Sequence, residues 1–96
     1  RALASVPPDR PRILLAHQPV YFAEAAGKVA LQLSGHTHGG QINPGFRPVD
    51  AFMRFVAGRY DQAGSTLWVN RGFGVVGPPA RIGAPPEVTK IVIVAA

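Results

Sequence analysis

The stretch Gly35-His36-Thr37-His38-Gly39-Gly40-Gln41 places two imidazole side chains one residue apart between glycines. Neutral imidazole is the commonest metal ligand at physiological pH, and it suits zinc, iron, manganese and nickel. Because glycine opens backbone conformations that other residues avoid, a turn here can aim the two rings at one ion or at two adjacent ions. Two adjacent ions are typical of sites that clamp the attacking and leaving oxygens of a phosphoryl transfer.

A strand–helix–strand pattern precedes this turn and carries the third histidine. Arg12 to Ala16 is a short apolar run that ends at His17, as a buried strand delivering a residue at its carboxyl end would. Pro19 suits the start of a helix and Gly27 its end, and Val29 to Leu33 is a second strand. We expect two parallel strands joined by a right-handed crossover, with every histidine at a carboxyl end, where open α/β sheets bind ligands.

The histidine segment resembles the Gly-His-x-His signature of the calcineurin-like metallophosphoesterases, and His17 fits the isolated histidine ligand of that family. The similarity covers most of residues 12–94 and includes two downstream segments, Arg71-Gly72-Phe73-Gly74 and Arg81-Ile82-Gly83-Ala84-Pro85-Pro86-Glu87. Together with Gly39-Gly40-Gln41, these segments resemble a bacterial subgroup of the family that is often associated with membranes. The resemblance therefore implies an α/β metallohydrolase.

The resemblance also implies roles for individual residues. His17 and His36 would bind one divalent ion and His38 the other, with manganese, iron, zinc and nickel all open as the metal. The substrate would be a phosphoester, by preference a phosphodiester. At the expected end of a strand, Arg71 is placed to contact a phosphate oxygen, although a plain surface arginine is an equal alternative. Gln41 is a candidate for orienting an imidazole ring, with stabilisation of the turn as its alternative.

Three further motifs of that family do not occur in the chain: an Asp-x-His, a Gly-Asp-x-x-Asp and a Gly-Asn-His. We therefore expect residues 12–96 to form the C-terminal half of a four-layer α/β/β/α sandwich with mixed sheets. Residues 1–11, which are rich in proline, would connect this half to an N-terminal half of the same domain. That N-terminal half is the expected partner of residues 12–96. The general-acid histidine of the family belongs to an absent motif, so no catalytic residue is assigned in this half.

The composition of the chain is consistent with one small globular unit and argues against several other classes of protein. Of the 96 residues, 47% are hydrophobic and 16% are charged, which is too apolar for a disordered tail. The absence of cysteine excludes a disulfide framework and a thiolate metal site. The net charge is +5, but the basic residues are scattered singly without a basic run, which argues against a nucleic-acid surface.

The second half of the sequence predicts a hairpin and a final strand. Arg54 to Tyr60 and Ser65 to Asn70 are rich in aromatic and β-branched residues, and they flank the turn-forming segment Asp61-Gln62-Ala63-Gly64. Gly72 to Pro86 is predicted to be a long loop. Val88 to Val94 alternates well enough to form a strand at the flank of a sheet.

The segment Pro48 to Ala57 admits a helix as a second interpretation, with Gly58 as its stop. Four apolar residues fall on one face of such a helix: Val49, Phe52, Met53 and Val56. This face would pack on the core of the protein or form an exposed lip that docks on a lipid surface. In the second case three arginines would meet anionic headgroups, namely Arg47, Arg54 and Arg59.

Two classes of function fit these observations. The first is a metal-dependent phosphoester hydrolase with a binuclear site, of which this chain supplies the histidine ligands. The second is a non-catalytic relative that keeps the fold as a protein-binding scaffold. All three histidines expected in this half are present, which favours the enzyme. The chain alone is expected to be inactive, because neutral ligands leave the charge of two dications uncompensated.

Overall fold

The computed structural model describes residues 2–7, 9–48, 53–76 and 80–94, which contain a four-stranded mixed sheet. Its strands are β1 (Ile13–Leu15), β2 (Leu31–Ser34), β3 (Gly58–Gln62) and β4 (Ser65–Val69), in the spatial order β1-β2-β4-β3. The described helices are α1 (Phe22–Ala25) and the 3₁₀ helices Ala2–Ser5, Pro19–Tyr21 and His38–Gly40. Each of these helices is too short to cross a lipid bilayer.

The parallel pair that the sequence predicts is present. β1 pairs with β2 in parallel, with Leu15 opposite Leu33, and β2 pairs in parallel with β4, with Leu33 opposite Trp68. Between β1 and β2 the chain forms the 3₁₀ helix Pro19–Tyr21 and then α1. Three parallel strands therefore end at one edge of the sheet, so the segments that follow them are brought together.

The predicted hairpin is also present, but its first strand starts later than expected. β3 and β4 are antiparallel, and Gln62 lies opposite Ser65, so the turn is reduced to two residues. Both turn residues, Ala63 and Gly64, have positive φ, as a tight hairpin requires. The first arm begins at Gly58 rather than at Arg54.

Residues 53–57 form neither of the two predicted structures, because their backbone is irregular. The hydroxyl of Tyr60 accepts hydrogen bonds from the backbone N–H groups of Val56 and Ala57, at 3.2 and 3.4 Å. These bonds satisfy two backbone N–H groups of the segment without a helix or a sheet, while the side chains of Phe55 and Val56 are buried in the core. The rest of the predicted helix, residues 49–52, lies outside the described residues.

One face of the sheet carries the hydrophobic core. Phe22 from α1 packs on Leu67 and Val69 of β4, and all three side chains are fully buried. The Phe55 ring contacts Phe22 and Tyr60 edge-on, with centroids 5.6 and 5.1 Å apart. Such edge-to-face pairs add about 0.5–1.5 kcal/mol each to the burial of the rings. The core thus holds residues 53–57 against the helical crossover.

The opposite face of the sheet is largely open. The register places Ile13 beside Leu31 and Leu15 beside Leu33 on this face, and Leu15 is 76% exposed. The predicted strand from Val88 to Val94 is wrong for this structure, because the segment forms no strand and its apolar side chains are exposed. Alternation gives a segment β-propensity, but a strand also needs a hydrogen-bonding neighbour.

Candidate metal centre

The carboxyl ends of the parallel strands place the predicted site residues along one edge. His17 follows β1, Gly35 and His36 follow β2, and Arg71 follows β4. The ladder continues past the strand ends, because Gly35 N–H donates to the His17 carbonyl at 3.2 Å and Asn70 N–H to the Ser34 carbonyl at 2.8 Å. These bonds fix the backbone that carries the histidines.

His17 and His36 are in direct contact. Their ring centroids are 4.5 Å apart, with an angle of 55° between the ring planes. Both side chains are exposed at the sheet edge. Two imidazoles at this separation are close enough to direct nitrogen atoms toward a common ion. They are also the two residues to which the resemblance assigns one ion.

His38 is placed differently from this pair. It is half-buried, and its Nδ1 atom is buried without a hydrogen bond to any described residue. Within the described part of the chain, no cluster of three or more His, Cys, Asp and Glu side chains could hold a metal ion. The structure therefore joins two of the three predicted ligands, and convergence of the third stays a prediction about the intact protein.

The histidine turn has a strained backbone. His36, His38 and Gln41 have φ values of 72°, 54° and 56°, in the left-handed region that residues with side chains rarely adopt. Thr37 anchors this conformation, since its hydroxyl donates to the Val56 carbonyl at 2.5 Å and its N–H to the Gly35 carbonyl at 2.8 Å. Strain of this kind concentrates at functional sites and persists only where the surrounding structure enforces it.

Arg71 lies against the histidine turn. Gly39 has a φ of 61°, and a Cβ atom at this position would stand 2.7 Å from the Arg71 Cγ. The Arg71 Nε donates to the Pro85 carbonyl at 3.0 Å and lies 3.7 Å from the Glu87 carboxylate. The described contacts of this guanidinium all use Nε, so Nη1 and Nη2 stay available for a ligand. The side chain is thus both a packing element and a candidate phosphate contact.

Glu87 is a site-supporting residue to which the sequence assigns no role. Its carboxylate accepts hydrogen bonds from the Arg71 backbone N–H at 2.9 Å and from the Thr89 hydroxyl at 2.5 Å. Burial opposes ionisation, but these bonds and the Arg71 charge together lower the pKa of Glu87 below its ordinary value. The ionised carboxylate therefore holds the exit of β4 in place.

Arg81 is a second residue of this kind. Its guanidinium donates to the carbonyl oxygens of His38 at 3.3 Å and Arg71 at 2.8 Å. It also donates to those of Ala84 and Gly74, at 2.9 and 2.6 Å. A lone arginine in a loop rich in glycine and proline gives no local signal of such a role, because its partners at the site, His38 and Arg71, lie 43 and 10 positions away.

The side-chain amide of Gln41 stabilises the turn, which was the alternative to orienting a histidine. Its Nε2 donates to the Val76 carbonyl at 2.9 Å, and its Oε1 accepts from the Val76 N–H at 2.8 Å. This pair of bonds resembles one rung of a β-ladder and ties the histidine turn to the following loop.

Curated proteins with similar sequences share one description. The chain is 40% identical over 100 residues to the bovine "transmembrane protein with metallophosphoesterase domain", a match that covers 100% of this chain. It is 42% identical over 86 residues to the Bacillus subtilis "uncharacterized metallophosphoesterase YkuE", which covers 80% of the chain. A Helicobacter pylori metallophosphoesterase is 38% identical over 94 residues, or 95% of the chain.

The matched region is a small part of each of these proteins. The chain spans 22% of the bovine protein, 29% of the Bacillus subtilis protein and 25% of the Helicobacter pylori protein. No model of a known protein family and no solved structure gives a significant match.

Proposed function

Since the chain belongs to the calcineurin-like metallophosphoesterase family, we propose that it supplies the histidine ligands of a binuclear metal site in a phosphoester hydrolase. The observation that carries this proposal is the contact between His17 and His36 at the ends of two parallel strands. The preferred substrate is a phosphodiester.

The donor set of this chain fits divalent metal ions. His17 and His36 offer two neighbouring neutral imidazoles, and His38 has a buried Nδ1 without a partner among the described residues. An unsatisfied imidazole nitrogen inside a protein is costly, so a ligand for it is expected. His17 and His36 would hold one ion and His38 the other, and the charge of the ions requires carboxylates from the rest of the intact protein.

The residues of this chain would position the substrate around that site. Bound divalent ions lower the pKa of water and neutralise the negative charge that develops on the phosphoryl oxygens. Arg71 would add a fixed positive charge from the neighbouring strand end, because its Nε contacts orient the guanidinium and leave Nη1 and Nη2 for a phosphate oxygen. Glu87 and Arg81 would hold this geometry through the carbonyl and N–H groups that they bind.

The open face of the sheet supports the finer fold assignment. Apolar side chains of β1 and β2 line it, and Leu15 is 76% exposed. A sheet face of this kind is stable when a second layer covers it. We therefore assign the chain to one half of a four-layer α/β/β/α sandwich, with the second sheet and the missing ligands supplied by other parts of the intact protein.

Metal content of the intact protein tests the proposal. We expect two divalent ions per protein in the wild type and fewer in the variants His17→Ala, His36→Ala and His38→Ala. Hydrolysis of bis(p-nitrophenyl) phosphate should fall by orders of magnitude in each variant. Without metal, His17→Ala and His36→Ala should melt near the metal-free wild type, because His17 and His36 are exposed. Lys28→Ala, on the exposed turn after α1, is the control and should retain both properties.

A non-catalytic scaffold is the other function that the fold allows. It predicts that the intact wild-type protein binds no metal at stoichiometric level and hydrolyses no phosphoester. That pair of results would replace the enzyme proposal with the scaffold.

A further inference from the structure

A pocket of about 240 Å³ opens beside His36, on the side of the sheet that carries the core. Apolar atoms make up most of its exposed lining, and four of the eight lining residues are apolar: Pro19, Val20, Met53 and Phe55. The other four are polar: Gln18, His36, Thr37 and Arg54. The pocket shares His36 with the histidine pair, so it is adjacent to the proposed metal site. All of its lining residues are among those that the structure describes.

The walls of the pocket are held by contacts that do not depend on a ligand. The 3₁₀ helix Pro19–Tyr21 begins two residues after His17 and, with Gln18, supplies one wall. The opposite wall is fixed by Phe55, which is only 6% exposed, and by the hydrogen bond from the Thr37 hydroxyl to the Val56 carbonyl. Since Thr37 lies between the two histidines of the turn, this hydrogen bond joins the wall of the pocket to the histidine turn.

Among the described residues that line the pocket, Arg54 carries a cationic group. The Arg54 guanidinium lies 4.9 Å from the centroid of the Phe55 ring, and its Nη2 lies 3.3 Å from Gln62 Oε1. A cation beside an apolar wall suits a ligand that is anionic at one end and apolar at the other. A phosphoester bound at the histidine pair has that polarity when its ester group points into the pocket.

We propose that this pocket binds an apolar ester group of the substrate, a short alkyl chain or a single ring. The inference rests on the proposed function and names the class of phosphoester that the site selects. The volume supports a small group, because pockets for whole drug-sized molecules run from about 300 to 1,000 Å³.

Binding of alkyl phosphates to the metal-loaded intact protein tests this proposal without requiring turnover. Methyl phosphate and n-butyl phosphate share the phosphate group and differ by three methylenes. Full burial of one methylene is worth about 0.8 kcal/mol, or roughly fourfold in affinity, so partial burial of three should give about tenfold. Isothermal titration calorimetry should therefore show a Kd for n-butyl phosphate about tenfold below that for methyl phosphate.

Substitutions at two neighbouring residues test whether the pocket causes the preference for n-butyl phosphate over methyl phosphate. Val20 is 57% exposed and lines the pocket, whereas Tyr21 is 53% exposed and does not line it. Val20→Asn makes the wall polar without adding charge, so it should remove the preference for n-butyl phosphate and leave the affinity for methyl phosphate within about twofold. Tyr21→Asn should retain the full preference, and both variants should melt near the wild-type temperature because both side chains are exposed.

The outcomes separate this inference from the function on which it rests. Equal affinities of the wild type for the two phosphates, or a preference that survives in Val20→Asn, would overturn the pocket assignment. A Val20-dependent preference in a protein that hydrolyses neither phosphomonoesters nor phosphodiesters would support the pocket and overturn the hydrolase.

Discussion

The Nη1 atom of Arg81 lies 3.3 Å from the carbonyl oxygen of His38, although the two residues are 43 positions apart. The same guanidinium binds the carbonyl of Arg71, at the exit of β4, and that of Gly74 in the following loop. One side chain therefore joins the histidine turn to the neighbouring strand end. The left-handed backbone of His38, with a φ of 54°, is held partly from the loop.

Replacing Arg81 by lysine should destabilise the intact protein. A lysine keeps the charge but lacks the planar fork that reaches several carbonyls at once. Hydrogen bonds to charged groups are worth about 1.5–3 kcal/mol each, and Arg81 is partly exposed, so we expect a net loss of about 2 kcal/mol in the free energy of unfolding. Urea denaturation of Arg81→Lys measures this loss, and Arg10→Lys, at an exposed position, is the control. Equal stability of the two variants would contradict the role assigned to Arg81.

Gly39 should not tolerate alanine. Its φ of 61° disfavours any side chain, and the added Cβ would lie 2.7 Å from Arg71 Cγ, in the middle of a side chain whose end is already bound. Gly45 has a φ of 95°, but a Cβ added there would meet no atom within 4 Å. Gly45→Ala should therefore lose stability only through its unfavourable backbone conformation. We expect Gly39→Ala to lose at least about 1 kcal/mol more than Gly45→Ala in thermal or urea unfolding. An equal or smaller loss in Gly39→Ala than in Gly45→Ala would show that Arg71 moves aside without cost.

The stability of the intact protein should depend on the ionisation of Glu87. The pKa of Glu87 is lowered in the folded state, so the carboxylate contributes to stability at pH values above its pKa in the unfolded chain. This contribution is lost as the pH falls through the pKa of the folded state. Below about pH 4.5, the ordinary value for this carboxyl, the free energy of unfolding should fall more steeply in the wild type than in Glu87→Gln.

The exposed Glu24 on α1 provides the matched control for this pH dependence. Glu24→Gln should retain the wild-type slope of unfolding free energy against pH. Asp61 also has a lowered pKa, through hydrogen bonds from Thr66 and Arg59, so Glu87→Gln should reduce the acid slope without removing it. An unchanged slope in Glu87→Gln would mean that the carboxylate does not stabilise the exit of β4.

The parallel strands and the contact between His17 and His36 follow from local features of the sequence. Short apolar runs precede both histidines, and proline and glycine bound the crossover between them. Since parallel strands present their carboxyl ends at one edge, the meeting of the two imidazoles is a consequence of that pattern. This part of the site was therefore predictable without a structure.

The supporting residues and the irregular segments were not predictable in this way. Arg81 and Glu87 act through carbonyl and N–H groups 43 and 16 positions away, and no local pattern encodes such contacts. The bend at residues 53–57 depends on the Tyr60 hydroxyl, which competes with regular backbone hydrogen bonding. The segment Val88 to Val94 has the alternation of a strand but lacks a neighbouring strand among the described residues. In each case tertiary contacts decide the local structure.

The open face of the sheet leads to a prediction about the intact protein. Leu15 and Phe73 are both 76% exposed, but Leu15 stands on the sheet face that the four-layer proposal covers, and Phe73 stands in a loop. Leu15→Asp should therefore cost the intact protein about 2–4 kcal/mol, since an unpaired carboxylate would be buried between two sheets.

Phe73→Asp should change the stability of the intact protein by less than about 0.5 kcal/mol, as surface substitutions commonly do. Chemical denaturation of both variants measures the difference, and far-ultraviolet circular dichroism checks that each is folded before denaturant is added. If Leu15→Asp is as stable as Phe73→Asp, the sheet face is exposed to solvent in the intact protein as well, and the second sheet of the sandwich does not pack there. A large loss confined to Leu15→Asp would instead place an apolar layer on β1 and β2, next to the strand ends that carry His17 and His36.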